Sequence, residues 1–181
     1  MSLEIINNPL FATIQDMGRY GYSHIGVTNS GVMDEYAYLF AQKLLRNPLN
    51  TNILEIAFSN VIFKANANTQ IAITGAICEV FINDIKKECW QTHNLRAGDI
   101  LKIGKILEGN RVYLAIFGGF ELKKEFGSNS TTIKENLGGI DGNKLKKGDI
   151  LPFRSCTFTH NIRVKEKFIP KIEEELTLRV L

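Results

Sequence analysis

Two stretches near the start of the chain hold residue types that can do chemistry. They are Thr13-Ile14-Gln15-Asp16-Met17-Gly18-Arg19-Tyr20-Gly21-Tyr22 and Gly26-Val27-Thr28-Asn29-Ser30-Gly31-Val32-Met33-Asp34. Asp16 and Asp34 can move protons, Arg19 can hold an anion, and Gln15 and Ser30 can hydrogen-bond a polar substrate. Gly18, Gly21, Gly26 and Gly31 let the backbone bend sharply around them. Few of these side chains would help build a core, and polar groups set among such bends usually form a site. The simpler reading of the same residues is a pair of polar turns ahead of a helix.

Local elements must position these groups. One segment has strong helical periodicity, Met33 to about Leu45, with Met33, Tyr36, Ala37, Phe40, Ala41, Leu44 and Leu45 on one stripe. Asp34 and Glu35 in its first turn and Lys43 and Arg46 in its last suit the helix dipole. Asn47-Pro48 ends it. Most of the remaining chain reads as short strands rich in Ile, Val and Phe: Glu4–Ile6, Ile53–Phe58, Val61–Lys64, Gln70–Thr74, Glu79–Ile82, Ile100–Ile103, Arg111–Phe117, Ile150–Phe153 and Asn161–Val164. Ile82-Asn83-Asp84-Ile85 has the form of a tight hairpin. Leu95-Arg96-Ala97-Gly98-Asp99-Ile100-Leu101 is echoed by Leu145-Lys146-Lys147-Gly148-Asp149-Ile150-Leu151, a Gly-Asp turn that feeds an apolar strand. Many close strands with one helix predict a mainly β, β-rich α+β fold of barrel type.

Composition sets further bounds. A chain of 181 residues that is 44% hydrophobic can bury one good core or two small lobes. A net charge of +3 is too mild for a dedicated nucleic-acid binder. Cys78, Cys89 and Cys156 are odd in number and widely spaced, with no C-x-x-C pair and no His ligand pattern. That argues against a disulfide framework and against a metal site, and for reduced thiols in the cytoplasm. There is no apolar leader and no long apolar run, so the expectation is a cytoplasmic protein without a membrane span. Leu176 to Leu181 alternates like a strand and stops without a polar tail. Residues 1–175 are therefore expected to form the domain, and residues 176–181 to start a strand leading into a missing C-terminal portion.

Several motifs in one order carry a family resemblance. Thr13-Ile14-Gln15-Asp16, Gly18-Arg19, Gly26-Val27, Ser30-Gly31 and Met33-Asp34 are followed by Leu54-Glu55, Thr74-Gly75-Ala76 and Tyr113-Leu114-Ala115 with Gly118-Gly119. Gly127-Ser128-Asn129-Ser130-Thr131 and Gly142 with Leu145 and Gly148-Asp149 complete the set. From residue 13 to residue 151 this order resembles the allophanate hydrolase subunit 2 family, the KipA-like carboxyltransferases associated with the prokaryotic 5-oxoprolinase. The resemblance implies a cyclophilin-like β-barrel and a subunit that is inactive alone. It implies a KipI-like partner (allophanate hydrolase subunit 1), a lactam-hydrolase partner, and a small amide or lactam substrate.

Three activities follow from the resemblance as expectations. The first is ATP-dependent cleavage of 5-oxoproline to glutamate, with ATP used at the level of the complex, since G-x-x-x-x-G-K-[ST] is absent. The second is carboxyl transfer from biotin to urea or a related amide. The chain has no Met-Lys-Met-type site, so a separate protein would carry the biotin. The third is a KipA-like regulatory binding role.

The amide chemistry needs oxyanion donors, a cation and a proton-moving group. Gln15, Asp16, Arg19 and Asp34 are the catalytic candidates under the resemblance. Ser30, Gly31, Gly118, Gly119, Ser128, Ser130 and Thr131 are the substrate-binding candidates. Each has a structural alternative: an ion pair from Arg19 to Asp16 or Asp34, a turn-closing bond for Gln15, helix capping for Asp34 and Ser30, and a tight turn for Gly118-Gly119. Glu55 reads as a barrel-lining or solvent carboxylate. The chain departs from the family pattern with Thr28 for a usual Pro, Ser59-Asn60 for Gly-Pro, and Asn129 and Asn143 for Arg. Two charged forks are thereby lost, so the resemblance bears on fold more than on substrate.

Overall fold

The computed structural model describes residues 1–58, 60–158 and 160–171. The Leu176–Leu181 segment lies outside the described residues. In chain order the elements are β1 (Ser2–Ile5), β2 (Phe11–Gln15), α1 (Glu35–Leu45), β3 (Ile53–Ala57), β4 (Val61–Ala65), β5 (Thr69–Ile82), β6 (Ile85–Lys87), β7 (Gln91–Leu95), β8 (Ile100–Ile116) and β9 (Ile150–Pro152). Among the described residues, three single-turn 3-10 helices lie outside the strands and α1. The expected β-rich fold with one α-helix is what forms.

The sheet curls into a half-barrel because β8 is shared. Along one edge β8 pairs with β5, from Ile71↔Ile116 to Ile82↔Leu101. Its other edge is divided: the start pairs with β4 and the end with β3. From there the order continues through β1 to β9 on one side and to β2 on the other. Gly75 sits at a register shift in β5 with φ +85°. A Cβ there would fall 2.3 Å from the Arg111 carbonyl oxygen, so the bulge requires glycine.

The period of two along the strands divides the core. Leu54, Ile56, Ile71, Ile73, Val112, Leu114 and Ile116 enter one cluster with Leu3, Ile5, Phe63 and Ile103. Ile53, Ala72, Tyr113 and Ala115 point to the opposite face and meet Ala37, Tyr38 and Ala41 of α1. Glu55 has the parity of Ile53 and so belongs to the helix side. The helix itself is rotated from the expected stripe. Tyr38 and Gln42 are buried, whereas Met33 is 72% and Tyr36 44% exposed. Gln42 is tolerated inside because its amide donates to the Thr51 carbonyl.

The structure corrects the strand list at five places. Gln70–Thr74 and Glu79–Ile82 are one strand, as are Ile100–Ile103 and Arg111–Phe117, since bulges carry the ladder across the glycines. Asn161–Val164 is not a strand; Arg163 makes a single bridge to Gln91. β2 and β7 went unforeseen because Gln, Thr and Asn interrupt their apolar pattern. The two Gly-Asp turns match in detail. Asp99 accepts from the Arg96 amide and Asp149 from the Lys146 amide, each at 2.8 Å. Gly98 and Gly148 donate to Ala65 and Ile5 of the neighbouring strands.

Gly75→Ala is expected to destabilise the domain by about 2 kcal/mol, from a strained φ and a backbone clash. Urea unfolding of the two proteins checks it, and an unchanged midpoint would contradict the bulge geometry.

Candidate functional site

The first polar stretch leaves β2 and folds against the second. Arg19 N–H donates to Asn29 carbonyl at 2.8 Å, and Val32 N–H donates to Asp16 carbonyl at 3.0 Å. The two backbones lie so close that a Cβ on Gly18 would fall 2.7 Å from the Ser30 carbonyl oxygen. Ser30 itself adopts the left-handed region at φ 55°. A third loop, residues 127–132, joins them: Thr131 N–H donates to Ile14 carbonyl at 2.8 Å and extends the β2 pairing.

Asp16 is fully buried and holds these loops together. One carboxylate oxygen accepts from Gly18 N–H at 2.8 Å and from the Ser128 and Ser130 hydroxyls at 2.6 Å each. The other accepts from Asn129 N–H at 2.7 Å. All donors are neutral and all belong to the fold. Asp16 was expected to be catalytic; its lone pairs are spent on the scaffold, so its placement is that of an organising group.

Arg19 lies in the same cluster and is 1% exposed. Its guanidinium donates to Thr132 Oγ1 at 2.6 Å and to the Ser130 carbonyl. It makes no ion pair among the described residues, so the alternative of a bridge to Asp16 or Asp34 does not occur. Its Nε and the nearby Thr131 hydroxyl are buried without a hydrogen-bond partner. Gln15 Nε2 donates to Thr13 Oγ1 and the Thr131 carbonyl. Ser30 Oγ reaches Gln15 Oε1 and the Thr131 carbonyl. Gln15, Asp16, Arg19, Ser30, Gly31, Ser128, Ser130 and Thr131 are therefore brought together.

Gly138 and Gly139 cover the cluster. A Cβ on Gly138 would fall 2.9 Å from Arg19 Nη2, and one on Gly139 would fall 2.2 Å from Thr131 Oγ1. The same two glycines help line a cavity of about 290 Å3 with Lys123, Glu125, Asn136, Asp141 and Gly142. Its lining offers a cation, two carboxylates and an amide, a mixture that suits a small molecule with both a carbonyl oxygen and an N–H. Sequence reasoning missed this lining, because its members are scattered through 20 residues of irregular chain. Another cavity, about 590 Å3 beside β6 and β7, lies apart from these loops.

The other expected residues stand elsewhere. Gly118 N–H donates to Asn47 Oδ1 and Gly119 N–H to the Ile116 carbonyl, so neither amide is available to an anion, and the pair forms a tight turn. Asp34 caps α1 through Ala37 N–H at 2.9 Å. Its own N–H donates to the Tyr113 hydroxyl, which donates to Glu55 Oε2 at 2.8 Å. Met33 N–H reaches the same oxygen, and Arg111 Nε stands 3.5 Å from the other. Glu55 is 7% exposed, not a solvent carboxylate. Burial first, then the Glu55 charge, pushes the Tyr113 phenol well above its ordinary range. The position of Glu55 on a strand buried on both faces was the available signal for this second cluster.

Two departures from the family pattern have structural roles. Thr28 N–H and hydroxyl both donate to Glu135, which Pro could not do with its nitrogen, and these bonds hold that carboxyl below its usual range. Asn129 donates to the Leu122 and Lys123 carbonyls and accepts from Asn52.

The family description "Carboxyltransferase domain, subdomain A and B" matches residues 25–181. Urea amidolyase of Lachancea kluyveri is 36% identical over 151 residues, which cover 83% of this chain and 8% of that protein. A 5-oxoprolinase subunit of Escherichia coli (strain K12) is 35% identical over 152 residues, 83% of this chain and 48% of that protein. Among solved structures, Kluyveromyces lactis urea carboxylase superposes with a TM-score of 0.86 at 30% identity, covering 95% of this chain and 16% of that one. The chain thus spans about half the length of its bacterial relative and a small part of the fungal ones.

Removing the Asp16 charge should loosen all three loops together. Asp16→Ala is expected to cost about 3 kcal/mol or more, because four donors lose one acceptor. Amide exchange at Gly18 and Asn129 should rise with it, and protection that stayed intact would contradict the organising role. A second expectation concerns pH. Burial, then the Asp16 charge, raises the Tyr38 phenol from 10.0 to about 12. A folded-state pKa above the unfolded value stabilises the folded state below that unfolded value, and the contribution is lost as pH climbs through about 12. Alkaline unfolding should therefore steepen above pH 10 in the wild type and flatten in part in Tyr38→Phe.

Proposed function

Because the chain belongs to the carboxyltransferase domain A and B family, we propose that it is a component of a cytoplasmic, ATP-dependent complex that opens 5-oxoproline to glutamate. The observation that carries this reading is the buried guanidinium of Arg19, which forms no ion pair among the described residues and lies beneath Gly138. A buried positive charge without a carboxylate partner favours an anionic ligand nearby. 5-Oxoproline carries a carboxylate and a lactam, whereas urea is neutral.

In this reading the carboxylate lies over the Gly138-Gly139 floor, drawn by Arg19. Lys123 faces the lactam oxygen and stabilises the negative charge that grows there when water adds to the carbonyl. Asp141 or Glu125 accepts from the lactam N–H. Gln15, Ser30 and Thr131 hold the floor in place from behind, and Asp16 fixes the loops that carry them. The lactam C–N bond breaks, water supplies the new carboxyl oxygen, and the nitrogen leaves as the amine of glutamate. ATP is bound and spent at the level of the complex, which includes a KipI-like partner and a lactam-hydrolase partner.

A second reading is supported by the fungal relatives, urea amidolyases at an identity similar to that of the bacterial protein. It makes the same cavity an acceptor site for urea or a related amide, which receives a carboxyl group from biotin on a separate carrier.

The test is ADP release by the chain assembled with its two partner subunits, with and without 5-oxoproline. The wild-type complex should release ADP only with the lactam. Arg19→Ala, in a complex shown to assemble, should lower that rate by roughly a hundredfold. An assembled complex indifferent to 5-oxoproline would overturn the first reading. Urea-dependent loss of carboxyl from carboxybiotin would then establish the second.

A further inference from the structure

The three cysteines are far apart in sequence, yet two of them meet. Cys78 lies in β5 and Cys89 just ahead of β7, and their sulfur atoms are 3.6 Å apart. The hairpin explains the encounter. Its ladder pairs Ile82↔Ile85, Phe81↔Lys86 and Val80↔Lys87. Continued for two residues, that register sets Cys78 opposite Cys89. On the other side of the pair the register to β7 is different, Ile73↔Gln91, so the ladder is interrupted between Lys87 and Gln91, where Cys89 lies. Both thiols are free.

The two sulfurs are chemically unequal. Cys78 is buried at 6% exposure, within the main core. Cys89 is only half-buried. The neighbouring sulfur and burial push the Cys78 thiol up, while the contact with Cys78 draws the Cys89 thiol down. A half-buried cysteine whose sulfur lies within 3.6 Å of a buried partner is the arrangement in which one cysteine is oxidised and the other resolves it.

We propose that Cys78 and Cys89 form a reversible redox pair that closes to an intramolecular disulfide in response to hydrogen peroxide. The Cys89 thiolate attacks one peroxide oxygen; the O–O bond breaks, hydroxide leaves and Cys89 carries a sulfenic acid. The Cys78 sulfur then attacks the Cys89 sulfur, its thiol proton goes to solvent, and the sulfenic oxygen departs as water. The sum is two thiols and one peroxide giving one disulfide and two waters.

The bond ties β5 to the residue ahead of Trp90. Trp90 is 2% exposed, donates to the Gly75 carbonyl at 3.1 Å and packs on Tyr36 and Phe40 of α1. Closing the pair therefore stiffens the platform beneath the helix that Asp34 caps. This proposal is independent of which amide the complex acts on.

The test is peroxide treatment of the full chain, followed by thiol counting in denaturant and non-reducing peptide mapping. Two of the three thiols should disappear, a peptide joining Cys78 to Cys89 should appear with the loss of two hydrogens, and dithiothreitol should restore both. In Cys78→Ser, Cys89 should instead pass to the sulfinic acid, which dithiothreitol does not reverse. The oxidised wild type should unfold at a higher temperature than the reduced one. Overturning results are equally definite: sulfinic acid at Cys89 in the wild type, a bond to Cys156 or between chains, or a lower unfolding temperature after oxidation.

Discussion

A buried carboxylate that forms no ion pair among the described residues constrains the whole amino-terminal half of this fold. Burying a charge is costly unless hydrogen bonds replace its water. Asp16 meets that demand with four neutral donors from two loops separated by more than a hundred residues. Those donors stay aligned only if Gly18 turns tightly and the 128–130 segment lies across the end of β2. The tight turn at Gly18 in turn requires the 29–31 backbone to pack against it. Ser130 then stands between the two buried charges, with its hydroxyl on Asp16 and its carbonyl on Arg19. The position of the guanidinium under Gly138 is a consequence of where the carboxylate had to be satisfied.

The second buried carboxylate is handled differently. Glu55 shares its charge with the Tyr113 phenol, with Arg111 and with the Met33 amide just ahead of α1. This network fixes the residue ahead of the Asp34 cap and so sets the rotation of the helix. That rotation buries Tyr38 and Gln42 and leaves Met33 and Tyr36 outside, against the simplest reading of the apolar stripe. Tertiary hydrogen bonds outweigh side-chain hydrophobicity here because a buried unpaired polar group costs more than an exposed methionine.

What could be read in advance follows from the range of each interaction. The hairpin at Asn83-Asp84 and the two Gly-Asp turns are local, with donor and acceptor within four residues, and their residue types announce them. The polar run from Gln15 to Ser30 announced a cluster but not its division of labour, since the partners of Asp16 come from residues 128–130. Glu55, the long strands β5 and β8, and the meeting of Cys78 with Cys89 depend on sheet register. A glycine at position 75 reads as a break in a lone sequence; in the sheet it is a bulge that lets one strand continue. The spacing of the cysteines argued against pairing, and all three are free, yet the hairpin brings two of their sulfurs within 3.6 Å.

The departures from the family pattern bear on where substrate choice resides. An arginine at position 129 would have to displace a side chain that now bridges Asn52 to the Leu122 and Lys123 carbonyls. Asn129 therefore sets the course of the chain into Lys123 rather than offering itself to a ligand. Thr28 acts in the same way on the far side, anchoring Glu135 ahead of Asn136. Both substitutions act on the two ends of the segment that lines the small cavity. Under the proposed function, their effect on specificity passes through the positions of Lys123, Asn136 and Asp141, which line that cavity. In that reading, a floor of glycine with Arg19 beneath it and Lys123, Glu125 and Asp141 around it selects by the shape of that segment more than by any single contact.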